Sequence, residues 1–368
     1  MSDLTEAFRA RILAASTAAP LCIRGGGSKD FYGNEPRGES LDTRAHTGVL
    51  AYEPTELVIT ARSGTPLAAI ERVLAEQGQC LAFEPPRFGA DSTIGGVVAA
   101  GLSGPRRVSA GAVRDFVLGA KILDGAAREL NFGGQVMKNV AGYDVSRVMA
   151  GSLGTLGLLL EISLKVLPRP VAEATLRFEL SQAAALDKLN RWAGQPLPIV
   201  ASAWADGELT LRLAGARAAI VAAEQELGGA KVGAGDGLVS HQQKVGAGET
   251  AFWTELRDQR ASFFADERPL WRLSVPSVAP VIDLPGATLI EWGGALRWLR
   301  STAPAAEIRA AAAQVGGSAT LFRADPALKA AVGAFTALPL PVLNLQRRLK
   351  QTFDPHGIFN PGRMYAEL

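Results

Sequence analysis

Three clusters of glycine, serine and threonine are the residues of this 368-residue chain whose types and spacing could do chemistry. The first, Arg24-Gly25-Gly26-Gly27-Ser28-Lys29, follows the apolar run Leu21-Cys22-Ile23. Consecutive glycines let backbone N–H groups converge on an anion, so this run reads as a phosphate-binding nest. It has neither the G-x-x-x-x-G-K-[ST] spacing of a P-loop nor the G-x-G-x-x-G of a dinucleotide fingerprint. In the second cluster Ser92 and Thr93 are good helix caps, and Ile94 to Gly101 reads as a short helix with no bulky side chain at its start. Its free N–H groups are expected to hold an anion, with Gly95 and Gly96 against phosphate oxygens and Ser28 and Ser92 adding hydroxyls. The third cluster, Gly151-Ser152-Leu153-Gly154-Thr155-Leu156-Gly157, sets a glycine at every third position before the strand-like run LLLEISLKVL. A flat ligand could lie there against bare backbone.

Other polar groups carry two readings each. Lys138, Asn139, Tyr143 and Asp144 are either a network that fixes a loop or groups beside the ligand. Arg106 and Arg107 either help neutralise phosphate or are surface charge. Asn360 is either an ordinary turn starter before Pro361 or a ligand neighbour. The three histidines, His46, His241 and His356, are scattered, and the two cysteines, Cys22 and Cys80, sit in apolar runs as small core residues. Two thiols cannot hold an iron–sulfur cluster, which takes about four. The near-balance of 38 basic and 36 acidic side chains excludes a field suited to nucleic acid or acidic lipid. The opening MSDLTEAFRARILAA has no leader pattern, and no run of about 18 apolar residues occurs. A cytoplasmic protein is expected, docked to the inner membrane only through partners.

The elements that must position these clusters follow from periodicity. A helix is expected over Leu4 to Ala15, strands at Leu21 to Arg24, Val49 to Tyr52 and Val58 to Ala61, and a helix from Leu67 to Gln77 that Pro66 starts and Gly78 ends. Asp124-Gly125 reads as a tight hairpin joining Phe116–Leu123 to Ala127–Asn131. Beyond Pro168-Arg169-Pro170 the pattern changes to strands at Thr175–Leu180, Ile199–Trp204 and Leu209–Leu213, with helices from Ser181 to Trp192 and from Ala216 to Leu227. This reads as an antiparallel sheet with helices on one face. The segments Leu270–Val275, Thr288–Trp292, Ala295–Leu299, Ile308–Val315 and Ala319–Phe322 repeat the alternation, suggesting two similar halves. Gly228 to Gly248 reads as a surface loop, and a helix from Val342 to Phe353 should return the chain to its first part.

The motifs together resemble a known family. Arg24 to Ser28, Thr93-Ile94-Gly95-Gly96, Val113-Arg114-Asp115, Lys138-Asn139 with Gly142-Tyr143-Asp144, Gly154-Thr155-Leu156-Gly157 and the closing Asp354-Pro355-His356-Gly357-Ile358-Phe359-Asn360-Pro361-Gly362 are similar to the FAD-linked oxidases of the vanillyl-alcohol oxidase type. Within that family the chain most resembles the smaller flavin subunit of bacterial glycolate oxidase. The resemblance implies an α+β fold: a two-part PCMH-type FAD-binding domain over 1–170, an antiparallel α+β cap over 171–338, and a segment 339–368 returning to the first domain. It implies FAD contacts from Arg24, Gly25, Gly26, Gly27, Ser28, Lys29, Pro85, Ser92, Thr93, Gly95, Gly96, Gly101, Ser103, Gly104, Arg107, Gly111, Asp115, Gly154, Thr155, Gly157, Leu158 and Asn360. Relatives often attach flavin through a histidine in the first glycine loop, where this chain has Gly27-Ser28, so non-covalent FAD is expected. The implied activity is oxidation of glycolate to glyoxylate, with a larger FAD-binding subunit and an iron–sulfur subunit as partners. A flavin relay without its own substrate site, or a self-sufficient oxidase of another 2-hydroxy acid such as D-lactate, stays open. The relatives' G-D-G-N-x-H metal segment is missing between Val171 and Pro339, and no metal is expected. The catalytic candidates are Lys138, Tyr143 and Arg323, with Arg272 and Arg297 as further cations for a carboxylate.

Overall fold

The computed structural model describes residues 4–134, 144–232, 239–240 and 247–368. α1 (Leu4–Ala14) buries Phe8 and Ile12 beside β1 (Leu21–Arg24), which pairs in parallel with β2 (Glu39–Asp42). β3 (Val49–Glu53) and β4 (Val58–Arg62) open the first large sheet. α2 (Leu67–Glu76) covers it with Leu67, Ile70 and Leu74, which share one face at helical spacing and are wholly buried. Each of these leucine or isoleucine side chains contributes roughly 1.5–3 kcal/mol by leaving water. After β5 (Gln79–Cys80) come α3 (Ile94–Ala100) and the single turns α4 (Arg107–Ala110) and α5 (Val113–Phe116). Then β6 (Val117–Leu123), β7 (Glu129–Gly133), α6 (Val145–Val148) and β8 (Leu158–Lys165) complete an antiparallel sheet in the order β3-β4-β8-β6-β7. β9 (Leu167–Pro168) returns to pair with β5. β8 is apolar on both faces because both are covered: Leu159, Ile162 and Leu164 enter one core, Leu158 and Leu160 the other.

The second large sheet is built from β10 (Ala172–Glu179), α7 (Gln182–Ala193), β11 (Ile199–Ala205), β12 (Glu208–Gly215), α8 (Arg217–Leu227), β13 (Ala230–Lys231), β14 (Val239–Ser240), α9 (Ala247–Arg257), β15 (Leu270–Ser274), β16 (Ala287–Glu291), β17 (Leu296–Arg300), α10 (Ala305–Gln314) and β18 (Ser318–Arg323). Its order is β13-β10-β12-β11-β16-β17-β15-β18, with antiparallel pairing and β14 also on β10. The two four-strand groups mirror each other across the β11–β16 seam. The second group has no helix between its first two strands, where 275–286 is a loop. α11 (Pro326–Val332) and α12 (Leu340–Phe353) lead back to the first sheet.

The closing segment is woven into β1. Leu21 N–H donates to the Ile358 carbonyl at 2.7 Å, and Asn360 N–H to that of Leu21 at 2.9 Å. Lys350 Nζ fastens this return, donating to the carbonyls of Thr155 and Phe359 and to Asp354 Oδ2 at 2.7–2.8 Å. Two local expectations differ from the fold. The connection after β6 is longer than a two-residue hairpin, because buried Asp124 accepts the N–H groups of Ala126 and Arg128 and holds Ala127 at φ 59°. Residues 39–42 form β2, a strand additional to those expected, in parallel register with β1.

Candidate functional site

The three glycine clusters meet. β1 delivers the loop from Arg24 to Asp30 to one wall of a cleft, α3 brings Thr93, Gly95 and Gly96 to another, and Leu153, Gly154, Gly157 and Leu158 close a third. The cleft holds about 790 Å³, open solvent at its mouth included. Asn360 ties two walls together, its Oδ1 accepting from Ile23 N–H at 2.7 Å and its Nδ2 donating to the Leu153 carbonyl at 2.6 Å. Thr93 caps α3 by accepting from Gly96 N–H at 3.3 Å. A Cβ at Gly96 would meet only that hydroxyl, at 3.3 Å, and otherwise stand in the cleft. Gly95 differs, because its Cβ would lie 2.8 Å from both Cβ and carbonyl oxygen of Ser63. Packing against Ser63, just beyond β4, therefore requires glycine at 95, whereas at 96 a side chain would take up room in the cleft.

The charge of the cleft fits a dianionic group. Arg24 pairs with Asp30 at 2.7 Å. Lys29 and Arg363 have no carboxylate partner among the described residues: Lys29 Nζ donates to Ser92 Oγ at 2.9 Å and to Ser28 Oγ at 3.2 Å, while the Arg363 guanidinium donates to the carbonyls of Lys29, Asp30 and Asn34. Burial pushes Lys29 down to about 8 and lowers Arg363 as well. Two half-compensated cations among bare glycine backbone suit a pyrophosphate, which would supply the missing negative charge. The residues present therefore fit FAD.

Of the residues expected to contact FAD, Arg24, Gly25, Gly26, Gly27, Ser28, Lys29, Thr93, Gly95, Gly96, Gly154, Gly157, Leu158 and Asn360 line this cleft. The others stand behind it or away from it. Ser92 is buried and its hydroxyl takes the Lys29 ammonium, so it acts on the cleft only through that lysine. Thr155 Oγ1 donates to the Ser152 carbonyl, and Gly101 ends α3 in the left-handed region against Gly151. Ser103 accepts from Val113 N–H, and Asp115 accepts from Ala112 N–H beside Gly111, fixing the turns around α5. Pro85 is buried outside the cleft wall. Cys22, Ile23, Thr43, Ser63, Ala99, Ala100, Leu153 and Arg363 line the cleft without having been expected there. Lys138, Asn139, Tyr143 and His241 lie outside the described residues. Asp144 accepts from Ser146 Oγ and pairs with Arg147 at 2.7 Å, a loop-fixing arrangement.

A second region lies between the flavin-side loops and the second sheet. Tyr32, Ala100, Leu102 and Leu153 pack with Trp292, Trp298 and Phe322 in one core, so the aromatic face of β16 to β18 backs directly onto the inner end of the cleft. Trp292, held by its indole N–H on the Gly104 carbonyl at 3.1 Å, is sandwiched between Arg107 at 4.6 Å and Arg272 at 5.2 Å. Arg107 is therefore spent on joining the two sheets. Arg297 is not a substrate cation either, because it is buried and donates to the carbonyls of Ala279, Pro280 and Gly294. Arg323 is half-buried over Phe31 at 4.3 Å and Phe88 at 5.1 Å, with no ion-pair partner among the described residues, and burial lowers it to about 10. It opens on a cavity that shares Ser28 with the cleft and holds Arg87, Arg257, Asp258 and Arg260. A neighbouring cavity, meeting this one at Phe88 and Arg257, is lined by Arg272 and Glu291. Glu291, a lone acid at the end of an apolar strand, is buried there and its Oε1 accepts from the Trp298 indole N–H at 2.7 Å. His46 packs edge-on to Phe8, and His356 is exposed.

Comparison with known proteins adds to this geometry. Residues 5–133 match a family model described as an FAD binding domain. The chain is 50% identical over 355 residues to "Glycolate oxidase subunit GlcE" of Escherichia coli (strain K12), covering 96% of this chain and 95% of that one. It is 29% identical over 174 residues to "Glycolate oxidase subunit GlcD" of Bacillus subtilis (strain 168), covering 46% of this chain and 37% of that one. The solved structure of alkyldihydroxyacetonephosphate synthase superposes with a TM-score of 0.64 at 15% identity, covering 97% of this chain and 73% of that one, a likeness of fold.

Proposed function

This chain belongs to the family of the glycolate oxidase subunit GlcE, and on that premise we propose that its FAD oxidises glycolate to glyoxylate and that an iron–sulfur subunit of the same complex takes the electrons. It is an FAD-dependent 2-hydroxy-acid oxidoreductase subunit, and its relatives GlcE and GlcD point to a multi-subunit enzyme. The observation that carries the reading is the glycine-lined cleft with Lys29 and Arg363 unpaired beside it. Residues 1–170 hold the FAD, 171–338 cap it, and 339–368 close the cleft through Asn360 and Arg363. Bound there, FAD supplies the two-electron acceptor. The chain supplies the rest. Arg272 and Arg323, half-buried guanidiniums with no ion-pair partner among the described residues, are offered to the substrate carboxylate, while Phe31, Phe88, Phe322 and Trp298 shield them from water. Two cysteines cannot hold a cluster, so the electrons must leave to another polypeptide.

Docking has a surface to use. α12 buries only Lys350 and Phe353 and leaves Leu340, Val342 and Leu345 exposed. No helix among the described residues is long and apolar enough to cross a membrane, so membrane attachment would come through partners. A second reading, a flavin relay without a substrate site, draws on the aromatic filling of the cap face and on the lack, among the described residues, of a histidine lining either cap cavity. Purification of a tagged copy tests the assembly: an iron-containing chain and a second flavin chain should come with it. Steady peroxide production from glycolate by the single chain, at the whole-cell rate, would contradict it.

A further inference from the structure

We propose that a groove lined by Arg106, Arg169 and Arg260 docks an acidic segment of the polypeptide that takes the flavin's electrons. The inference rests on the reading that this chain works within a multi-subunit enzyme. Two cavities, of about 670 Å³ and about 540 Å³, share Arg87, Thr254 and Arg257 and so form one groove. The segment 79–90, with Arg106 and Arg169, lines it from the first part of the chain, and α9 with β12 lines it from the second. Ser28, at one end, is a wall residue of the flavin cleft as well. A chain lying in the groove therefore reaches the wall of that cleft.

Among the described residues, seven arginines and four carboxylates line the groove, an excess of three positive charges, whereas the whole chain carries a formal +2. The positive excess of the protein is gathered here. All four carboxylates are already paired: Glu84 and Glu173 hold Arg212 at 2.7 and 2.8 Å, Asp258 holds Arg257 at 2.8 Å and Arg260 at 3.2 Å, and Glu71 pairs with Arg87. Arg106, Arg169 and Arg323 have no ion-pair partner among the described residues. Arg323, in the cavity that contains Ser28, is the one offered to the substrate, which leaves Arg106 and Arg169 in the other cavity and the exposed Arg260 between them. The Nε atoms of Arg87 and Arg106 are buried with no hydrogen-bond partner among the described residues, a costly state that a row of carboxylates would relieve while it balanced the charge. Shape selects the kind of partner. A concave groove cannot meet a flat bilayer, and its volume is that of a site for a drug-sized group, several times what a two-carbon acid fills. An extended stretch of polypeptide carrying Asp or Glu fits both shape and charge. The Arg212 and Asp258 ion pairs already fix the walls, so little ordering is needed on this side.

Arg169 is exposed and donates to the Gln79 carbonyl at 3.3 Å, so Arg169→Glu should fold and hold FAD at wild-type stoichiometry, with an unchanged urea midpoint. A tagged wild-type chain should bring the iron-containing chain with it, and raising NaCl from about 0.05 to about 0.5 M should release that chain by screening. Arg169→Glu should bind it at least about 10-fold more weakly, because like charges then face each other, and Arg169→Lys should bind it nearly as the wild type does. Should Arg169→Glu fail to fold, Arg260→Gln takes its place and should weaken binding in the same direction. Wild-type affinity in the folded variant, a wild-type complex indifferent to salt, or an equal loss in Arg169→Lys would overturn the docking site. A wild-type chain that brings no partner at low salt would instead overturn the multi-subunit reading, and this inference with it.

Discussion

Gly96→Ala should separate the stability of the protein from its hold on FAD and move the two in opposite directions. The new methyl meets only Thr93 Oγ1, at 3.3 Å, and otherwise occupies the cleft. Position 96 is helical, so alanine in place of glycine gains up to about 1 kcal/mol, less the small yielding of Thr93. The same atom removes room from the ligand. Forcing one methyl into a close-packed contact costs about 1–3 kcal/mol, or about 5- to 150-fold in Kd. Gly95→Ala is the control, because its methyl would strike Ser63 at 2.8 Å, and Ser63 N–H is fixed on the Leu160 carbonyl at 2.8 Å. That variant should lose about 1–3 kcal/mol. Urea unfolding of the FAD-free proteins and FAD titration by quenching of flavin fluorescence read both quantities. Undiminished FAD affinity in Gly96→Ala, or undiminished stability in Gly95→Ala, would refute the placement of the two glycines.

Acid or denaturant should release all the flavin as FAD, since Gly27-Ser28 stands where a tethering histidine would be; yellow colour retained by the precipitated chain would show a covalent bond. Lys29, held at about 8 by burial, binds fewer protons folded than unfolded between that pH and about 10.4, so its charge costs the FAD-free protein stability below pH 8, a cost lifted as pH rises. Phosphate favours the charged form, so FAD affinity should be full below pH 8 and fall above it, and Lys29→Met should flatten the profile; a flat wild-type profile would mean that Lys29 does not face the phosphates. Lys350→Met would leave Asp354 buried without its cation and release the closing segment, for about 3–5 kcal/mol by urea unfolding. A loss within error would mean that Lys350 does not clamp the closing segment.

The cleft was largely legible in the sequence because bare backbone is a requirement that residue type records. Gly25 to Gly27, Gly96, Gly154 and Gly157 all reach it, and Asn360 joins them although 336 positions separate it from Arg24. What the sequence concealed is recognition by groups that every residue carries, or by side chains whose role is set by a distant partner. Arg363 looks like any charge near a terminus until the carbonyls of Lys29 and Asp30 converge on it. Ser92 was expected to face phosphate, yet its hydroxyl is turned to Lys29, a preference that only the packing of the two loops decides. Among the cap arginines, Arg297 reads from sequence like Arg323, but a strand pattern cannot tell that three carbonyls of neighbouring turns will enclose the first and, among the described residues, none the second. The mirrored halves of the second sheet were visible as repeated alternation, because strand period and turn residues are local. The single turns α4 and α5 were not, being shorter than one cycle of helical periodicity.

We propose that the FAD of this chain itself oxidises a small 2-hydroxy acid. Glycolate added under argon to the purified, FAD-loaded chain tests it, with the flavin absorbance as the signal. The yellow colour should bleach, at a rate that Arg272→Met lowers by at least about 10-fold through loss of a charged hydrogen bond to the carboxylate. An absorbance unchanged by glycolate, while the assembled complex turns over, would contradict it and leave this flavin as a relay.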